Sequence, residues 1–348
     1  MTERKKDSPT GLVPDAATLL GAIDEPLLIV RDGRVLLANA VARSLLGDRI
    51  DGTDVRLAIR HPVAVEALRG PRGPGSVTRI ELAGLAGQGR RWDMSIAPLG
   101  DGGDLLVRLV DHSAAHAADK MRSDFVANAS HELRTPLATL IGFIETLQDE
   151  QTAEDRAART RFLAVMFEQA QRMQRLIDDL MSLSRIEADR FSQPDQPVDL
   201  VPLAEEARAA SITLADARDV EIRIETGLPR AVVLGDHAEL LQLLHNLITN
   251  AIRYGRPSSE VVIEIGESGT GMLHLGVVDQ GEGIAPEHLP RVTERFYRVS
   301  NSRSRAEGGT GLGLAIVKHI VSRHRGRLDL KSTLGKGTAI HVYLPRSP

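Results

Sequence analysis

Phe125-Val126-Ala127-Asn128-Ala129-Ser130-His131-Glu132-Leu133-Arg134-Thr135-Pro136-Leu137 lies inside a stretch whose apolar residues step by three or four. Val126, Ala129, Leu133, Leu137, Leu140, Ile144 and Leu147 make one stripe, the spacing of a long amphipathic helix. Phe162, Met166, Met173, Leu176, Leu180 and Leu183 make a second. Between residues 113 and 190 Gly and Pro occur once each, so only a polar turn near 149–155 separates the two helices. The pattern predicts a helical hairpin. A lone hairpin buries its stripes poorly, whereas two copies paired as a four-helix bundle bury both. A homodimer is therefore expected; the plainer alternative is packing on the chain's own other domains.

His131 is two residues from both Ala129 and Leu133. At about 100° per residue it points away from the buried stripe. An exposed imidazole is largely neutral and nucleophilic at pH 7. Glu132 can accept or orient the ring proton. Thr135, one turn on, shares the face of His131, and Pro136 should bend the helix just past the site. An isolated exposed His is more often incidental to a solvated face.

Composition bounds the rest. The 348 residues suggest two or three domains, with 42% hydrophobic residues for real cores and only 3% aromatic ones. A net charge of −4 gives no reason to expect direct contact with nucleic acid. Cysteine is absent, which excludes disulfides, thiolate metal sites and Cys nucleophiles and fits a reducing compartment. No apolar stretch approaches a membrane span, and acidic residues interrupt any signal-peptide core. The chain is expected to be cytoplasmic, unless it is a fragment of a longer membrane protein.

Residues 1–12 read as a loose tail. Residues 13–112 mix short elements: a hairpin of Leu27–Val30 and Val35–Ala38, a helix from Asn39 to Leu46, a loop at 70–75, and strands Val77–Leu82, Arg91–Pro98 and Leu105–Asp111. This order resembles a PAS sensor domain. Haem through His61 is its sharper option, and a surface His before Pro62 the plainer one. Gln193–Pro197 reads as a linker. Beyond it, Val220–Glu225, Val232–Gly235, Val261–Gly266, Leu273–Val278, Arg327–Ser332 and Thr338–Leu344 read as strands, and Asp236–Tyr254 and Leu312–Arg325 as helices.

Four motifs in this last region carry chemistry. In Leu244-His245-Asn246-Leu247-Ile248-Thr249-Asn250-Ala251-Ile252-Arg253-Tyr254, Asn246, Asn250 and Arg253 share a face beside the apolar stripe. Carboxamide oxygens suit a hard cation and Arg suits phosphate; on spacing alone such Asn are more often solvated. In Val278-Asp279-Gln280-Gly281-Glu282-Gly283-Ile284, a carboxylate ends a strand before two glycines, an arrangement open to a flat ligand with an exocyclic amine but common in turns. Gly308-Gly309-Thr310-Gly311-Leu312-Gly313 enters an apolar helix, whose free N–H groups can hold phosphate oxygens. Gly335-Lys336-Gly337-Thr338 is a turn before the last strand.

The first string resembles the phosphoacceptor box of sensor histidine kinases, His-Glu-x-x-Thr/Asn-Pro, at His131, Glu132, Thr135 and Pro136. The later motifs resemble, in order, the N, G1, G2 and G3 boxes of the histidine-kinase ATP-binding domain, with Glu294-Arg295-Phe296-Tyr297-Arg298 as the F box. The resemblance covers roughly residues 120–346. It implies a multidomain α+β chain: a PAS-like domain (13–112), a dimeric four-helix-bundle phosphoacceptor domain (113–190) and a Bergerat-type α/β sandwich (191–348). It implies ATP and Mg²⁺, with Asn250 as metal ligand, Asn246 beside it, Arg253 on phosphate and Tyr254 on the nucleotide. By the same resemblance Asp279 accepts from adenine, Gly281 and Gly283 flank the base, and Gly309, Thr310, Gly311, Leu312 and Gly313 form the lid, with Thr338 in the last box.

His131 would take the γ-phosphoryl group, assisted by Glu132, and pass it to an aspartate of a response regulator. Thr135 could position water for phosphatase action on that regulator. Within the family, the strings Phe125–Leu137 and Ile284–Pro290 look most like phosphate-regulon sensor kinases, which implies a DNA-binding regulator of the phosphate response as partner. Many of those kinases carry N-terminal membrane helices that this sequence does not show. The other readings are a Bergerat-fold ATPase and a nucleotide-binding scaffold, both without phosphohistidine chemistry.

Overall fold

Asp32-Gly33 has positive φ at both residues, 48° and 75°, as the tightest hairpin turn requires. It joins strands β1 (Leu27–Arg31) and β2 (Arg34–Ala38). The structure, a computed structural model, describes residues 15–70, 76–87, 89–100, 102–148, 155–189, 192–269, 271–299 and 309–347. The expected tail 1–12, and most of the loop 70–75 and of the hairpin tip 149–155, lie outside the described residues. The chain divides into two compact units, Met1–Asp124 and Phe125–Pro348.

In the first unit, α1 (Ala16–Gly21) precedes the hairpin. After it come α2 (Ala40–Leu46), α3 (Val55–Ala58), α4 (Pro62–Arg69), β3 (Thr78–Ala83), β4 (Arg91–Leu99) and β5 (Asp104–Asp111). The five strands form one antiparallel sheet in the order β2-β1-β5-β4-β3. β1 is buried on both faces: Leu28 and Val30 join the main core, and Leu27 and Ile29 pack with Leu20 of α1 on the other side. A strand so enclosed reads as a continuous apolar run. Asn39, the N-cap of α2, is buried and fully engaged. Its Oδ1 accepts from the N–H groups of Leu27 and Ala42, and its Nδ2 donates to the carbonyls of Leu20, Ile23 and Glu25. His61 places Nε2 3.2 Å from the Ala83 carbonyl, to which it donates. That ring nitrogen is spent on the fold, while the Nδ1 of the half-buried ring has no partner among the described residues.

The second unit begins within α5 (Ser113–Gln148), which continues unbroken through Pro136, and adds α6 (Arg156–Ala188). Then come β6 (Gln196–Asp199), α7 (Leu200–Asp216), β7 (Glu221–Thr226), β8 (Val232–Gly235), α8 (His237–Tyr254), β9 (Glu260–Ser268), β10 (Met272–Asp279), α9 (Gly313–Arg323), β11 (Arg327–Thr333) and β12 (Gly337–Pro345). The main sheet has the order β11-β12-β10-β9-β7; only the β7–β9 pair is parallel. One face carries α7, α8 and α9 over an aliphatic core. One local expectation is corrected and one helix was not foreseen. Part of the supposed linker is strand β6, paired with β8. The helix α7 gave no strong signal because its buried positions include Ala204, Ala207, Ser211 and Ala215, which mark a stripe weakly.

The hairpin splits the expected stripes between two environments. Leu176, Leu183 and Ile186 of α6 are buried in the core of the α/β sandwich. From the expected stripes Val126, Leu137 and Ile144 are exposed, and beside them Ile141, Leu163, Phe167, Ile177 and Met181, which neither stripe included, are exposed as well, Phe167 by 66%. The packing alternative thus holds for the base of the hairpin, while a long apolar face is left uncovered by this chain. Leu183→Ala is expected to destabilise the second unit by about 2–5 kcal/mol, read as a lower denaturant midpoint. An unchanged midpoint would show that α6 is not part of that core.

Candidate functional site: a histidine helix and a glycine-lidded pocket

On α5, Ala129 and Pro136 are buried and His131 is exposed between them. The Thr135 hydroxyl donates to the His131 carbonyl one turn back, at 3.4 Å. Pro136 supplies no N–H to the Glu132 carbonyl, so Thr135 and Pro136 shape the turn that presents the imidazole. The Glu132 carboxylate accepts from Arg172 of α6, at 3.2 Å. In this structure Glu132 is thus steadied by a cation that the sequence reading did not single out.

The nucleotide motifs converge around α8. Asp236 caps it by accepting from the Glu239 N–H, at 3.1 Å. Leu240, Leu243, Leu244, Leu247, Ile248, Ala251 and Ile252 are buried along one side. The remaining flank presents Asn246, Asn250 and Arg253 half-buried and Tyr254 exposed. Among the described residues, the buried Nδ2 of Asn246 has no hydrogen-bond partner, a donor awaiting an acceptor.

Asp279 closes the far wall. Its Oδ1 accepts from the N–H groups of Gly281, at 2.7 Å, and Thr338, at 3.2 Å. Burial nevertheless pushes its pKa above the ordinary 3.8, against those two bonds. Gly281 must be glycine: a Cβ there would stand 2.2 Å from the Tyr254 carbonyl oxygen. Ser332 organises the neighbouring turn, which the motif reading missed. Its hydroxyl accepts from the Ile284 N–H, donates to the Gly337 carbonyl and meets the Thr338 hydroxyl at 2.9 Å.

The glycine run lies against the same helix. A Cβ at Gly309 would meet Tyr254 Oη at 3.2 Å and Arg253 Nη1 at 3.3 Å, and one at Gly313 would meet Asn246 Oδ1 at 3.4 Å. Gly311 has φ +72°, and its carbonyl accepts from the Phe296 N–H at 2.9 Å. The Leu312 side chain is fully buried in the core, and its backbone N–H donates to Thr310 Oγ1 in the run. The Thr310 hydroxyl donates to Asp179 of α6, at 2.7 Å, and burial raises the pKa of that carboxyl. Phe296 lies 5.9 Å, ring to ring, from Phe125. Arg295 pairs with Glu187, and His319 lies 3.4 Å from the same carboxylate. Asp179, Glu187 and Arg172 sit among other charges on α6, where a sequence shows only a solvated face.

The pocket therefore holds donors suited to phosphate (Asn246, Arg253, the start of α9), a buried carboxylate suited to an amine, and a glycine floor. The profile of the His Kinase A phospho-acceptor domain matches residues 121–189, and that of the histidine kinase-, DNA gyrase B- and HSP90-like ATPase matches residues 235–348. The phosphate regulon sensor protein PhoR of Pseudomonas aeruginosa is 38% identical over 90% of this chain and 70% of its own length. The sensor protein SrrB of Staphylococcus aureus is 36% identical over 70% of this chain, but only 41% of its own length is spanned. The histidine kinase AdeS of Acinetobacter baumannii, 24% identical, superposes over 63% of this chain and 98% of its own with a TM-score of 0.50, a likeness of fold. With the phosphoacceptor helix and the ATPase sandwich both matched, the chain belongs to the sensor histidine kinases, as an ATP-dependent protein-histidine kinase.

Proposed function

We propose that His131 is the residue phosphorylated and that the phosphoryl group then passes to an aspartate on the receiver domain of a response regulator. The observation that carries this reading is the exposed His131 in the same compact unit as a pocket fitted to a nucleotide. The orphan Asn246 amide, the Arg253 guanidinium and the α9 N-terminus fit the triphosphate; the Asp279 carboxylate and the glycine at 281 fit the adenine. A neutral imidazole nitrogen attacks the γ-phosphorus of ATP in line, and ADP leaves as the bond to the bridging oxygen breaks. Glu132, the next residue in the chain and paired with Arg172, is the residue suited to take the proton that the ring must lose. Asn250 would hold Mg²⁺, which when bound neutralises charge on the phosphate oxygens. Thr135 is the residue suited to position water for dephosphorylating the regulator.

The sheet order β2-β1-β5-β4-β3 with helices between β2 and β3 supports a PAS-like sensor role for the first unit. Similarity to PhoR supports a role in phosphate-starvation signalling, with a DNA-binding regulator as partner. The uncovered hairpin face, eight large apolar side chains long, supports a homodimer joined as a four-helix bundle. Among the described residues no helix is long and apolar enough to cross a membrane. ATP and a receiver-domain partner would place the activity in the cytoplasm.

Incubation with γ-labelled ATP and Mg²⁺ is expected to yield label that survives base and is lost in acid. His131→Gln should abolish it while nucleotide binding persists; label retained in that variant would refute the assignment. The raised pKa of Asp279 sets a pH dependence. The carboxylate must be ionised to accept from adenine, so affinity for ATP should fall on acidification before an ordinary Asp of pKa 3.8 would protonate. Asp279→Asn should weaken binding about tenfold to hundredfold and flatten that acidic limb, as read by equilibrium nucleotide titration. Phe167→Glu is expected to convert a dimer to monomer in sedimentation; a variant that sediments like the wild type would place the contact elsewhere.

A further inference from the structure

The helix-covered face of the main C-terminal sheet is apolar, and the opposite face is not. Ile263 and Ile265 of β9, Leu273, Leu275 and Val277 of β10, and Ile340 and Val342 of β12 enter the core. Strand alternation therefore puts Glu264, His274, Gly276 and His341 on the other face. Register then gathers them: Gly276 pairs with Glu264 on one side and with His341 on the other, and His274 lies two residues earlier on the same strand. His274 Nε2 is 2.7 Å from His341 Nδ1. One ligand atom from each of Glu264, His274 and His341 lies within 4.8 Å of the others, and all three residues are half-buried.

Gly276 permits this convergence. A Cβ there would stand 2.9 Å from His341 Nδ1, 3.1 Å from His274 Nε2 and 3.2 Å from Glu264 Oε2. The three donor atoms thus crowd the space that a side chain would otherwise fill. None of them belongs to the nucleotide pocket or to the His131 helix.

We propose that Glu264, His274 and His341 form a divalent transition-metal site of the zinc type, clipping β9, β10 and β12 together. Two imidazoles and a carboxylate suit a borderline ion with water in the fourth position. Bonds of about 2.0–2.1 Å in tetrahedral geometry separate two ring nitrogens by about 3.3 Å. The observed 2.7 Å opens to that by small side-chain rotations as the ion replaces the shared proton. The clipped strands matter to the pocket: β10 ends at Asp279, and Thr338, the second residue of β12, donates to its carboxylate.

The test uses the full chain, stripped with EDTA and free of nucleotide, titrated with ZnCl₂ by calorimetry and with CoCl₂ by visible absorption. The wild type is expected to take one ion with micromolar or tighter affinity at this site and to show the bands of tetrahedral Co²⁺. His341→Gln and Glu264→Gln should each weaken binding about tenfold or more and lose the bands, with far-ultraviolet circular dichroism unchanged. Should one variant fail to fold, the other decides. Failure of the wild type to bind, or equal affinity and identical Co²⁺ spectra in wild type and folded variant, would show that the pair is only a histidine–histidine hydrogen bond and overturn the proposal.

Discussion

Burial of one side of α8 is the constraint on which the second unit depends. Seven apolar side chains, from Leu240 to Ile252, are removed from water along that helix, under a β-sheet whose own core residues are almost all aliphatic. With few aromatics in the chain, such a core relies on many close aliphatic contacts rather than on a few large rings. Once that side is committed, the helix has no rotational freedom left. Asn246, Asn250 and Arg253 must then stand at the boundary between core and solvent, with an amide left unpartnered there. The polar face proposed to meet nucleotide is set by this packing.

The opposite wall obeys a different constraint, close backbone approach. The Gly281 turn passes so near the Tyr254 carbonyl that no side chain fits, and Gly337 lies equally close to the Asp279 carbonyl. The Asp279 carboxylate is thereby fixed by two backbone donors while remaining buried enough for its charge to be costly. Fixed geometry and costly charge together make a selective acceptor. The hairpin adds a third element. Asp179 reaches Thr310 of the glycine run and Glu187 reaches Arg295, so the helix pair that carries His131 also contacts the glycine run. Direct contact of this kind allows the state of one to bias the other.

The uncovered hairpin face and the polar sheet face pose opposite problems. The first exposes apolar side chains that solvent disfavours; the second gathers two hydrogen-bonded imidazoles and a carboxylate over a glycine. A second copy of the chain on the first surface and a metal ion on the second are the occupants proposed for them.

The sequence by itself determined the helical hairpin, the strands of both sheets to within a residue or two, and the chemistry-bearing motifs, because each is written locally: 3.6-residue stripes, turn glycines, a proline after a histidine. The candidate residues on α8 and at Asp279 were legible for the same reason. The cationic partner of Glu132, the Thr310–Asp179 contact, the Ser332 hub and the His274–His341–Glu264 cluster were not. Each joins residues from separate elements, and a lone charge on a helix or a lone His in a strand carries no local mark of its partner. Strand β6 and helix α7 were obscured by a Pro-bearing polar stretch and an alanine-rich stripe. Only the tertiary structure decided them, since register and packing, not propensity, choose which distant side chains meet.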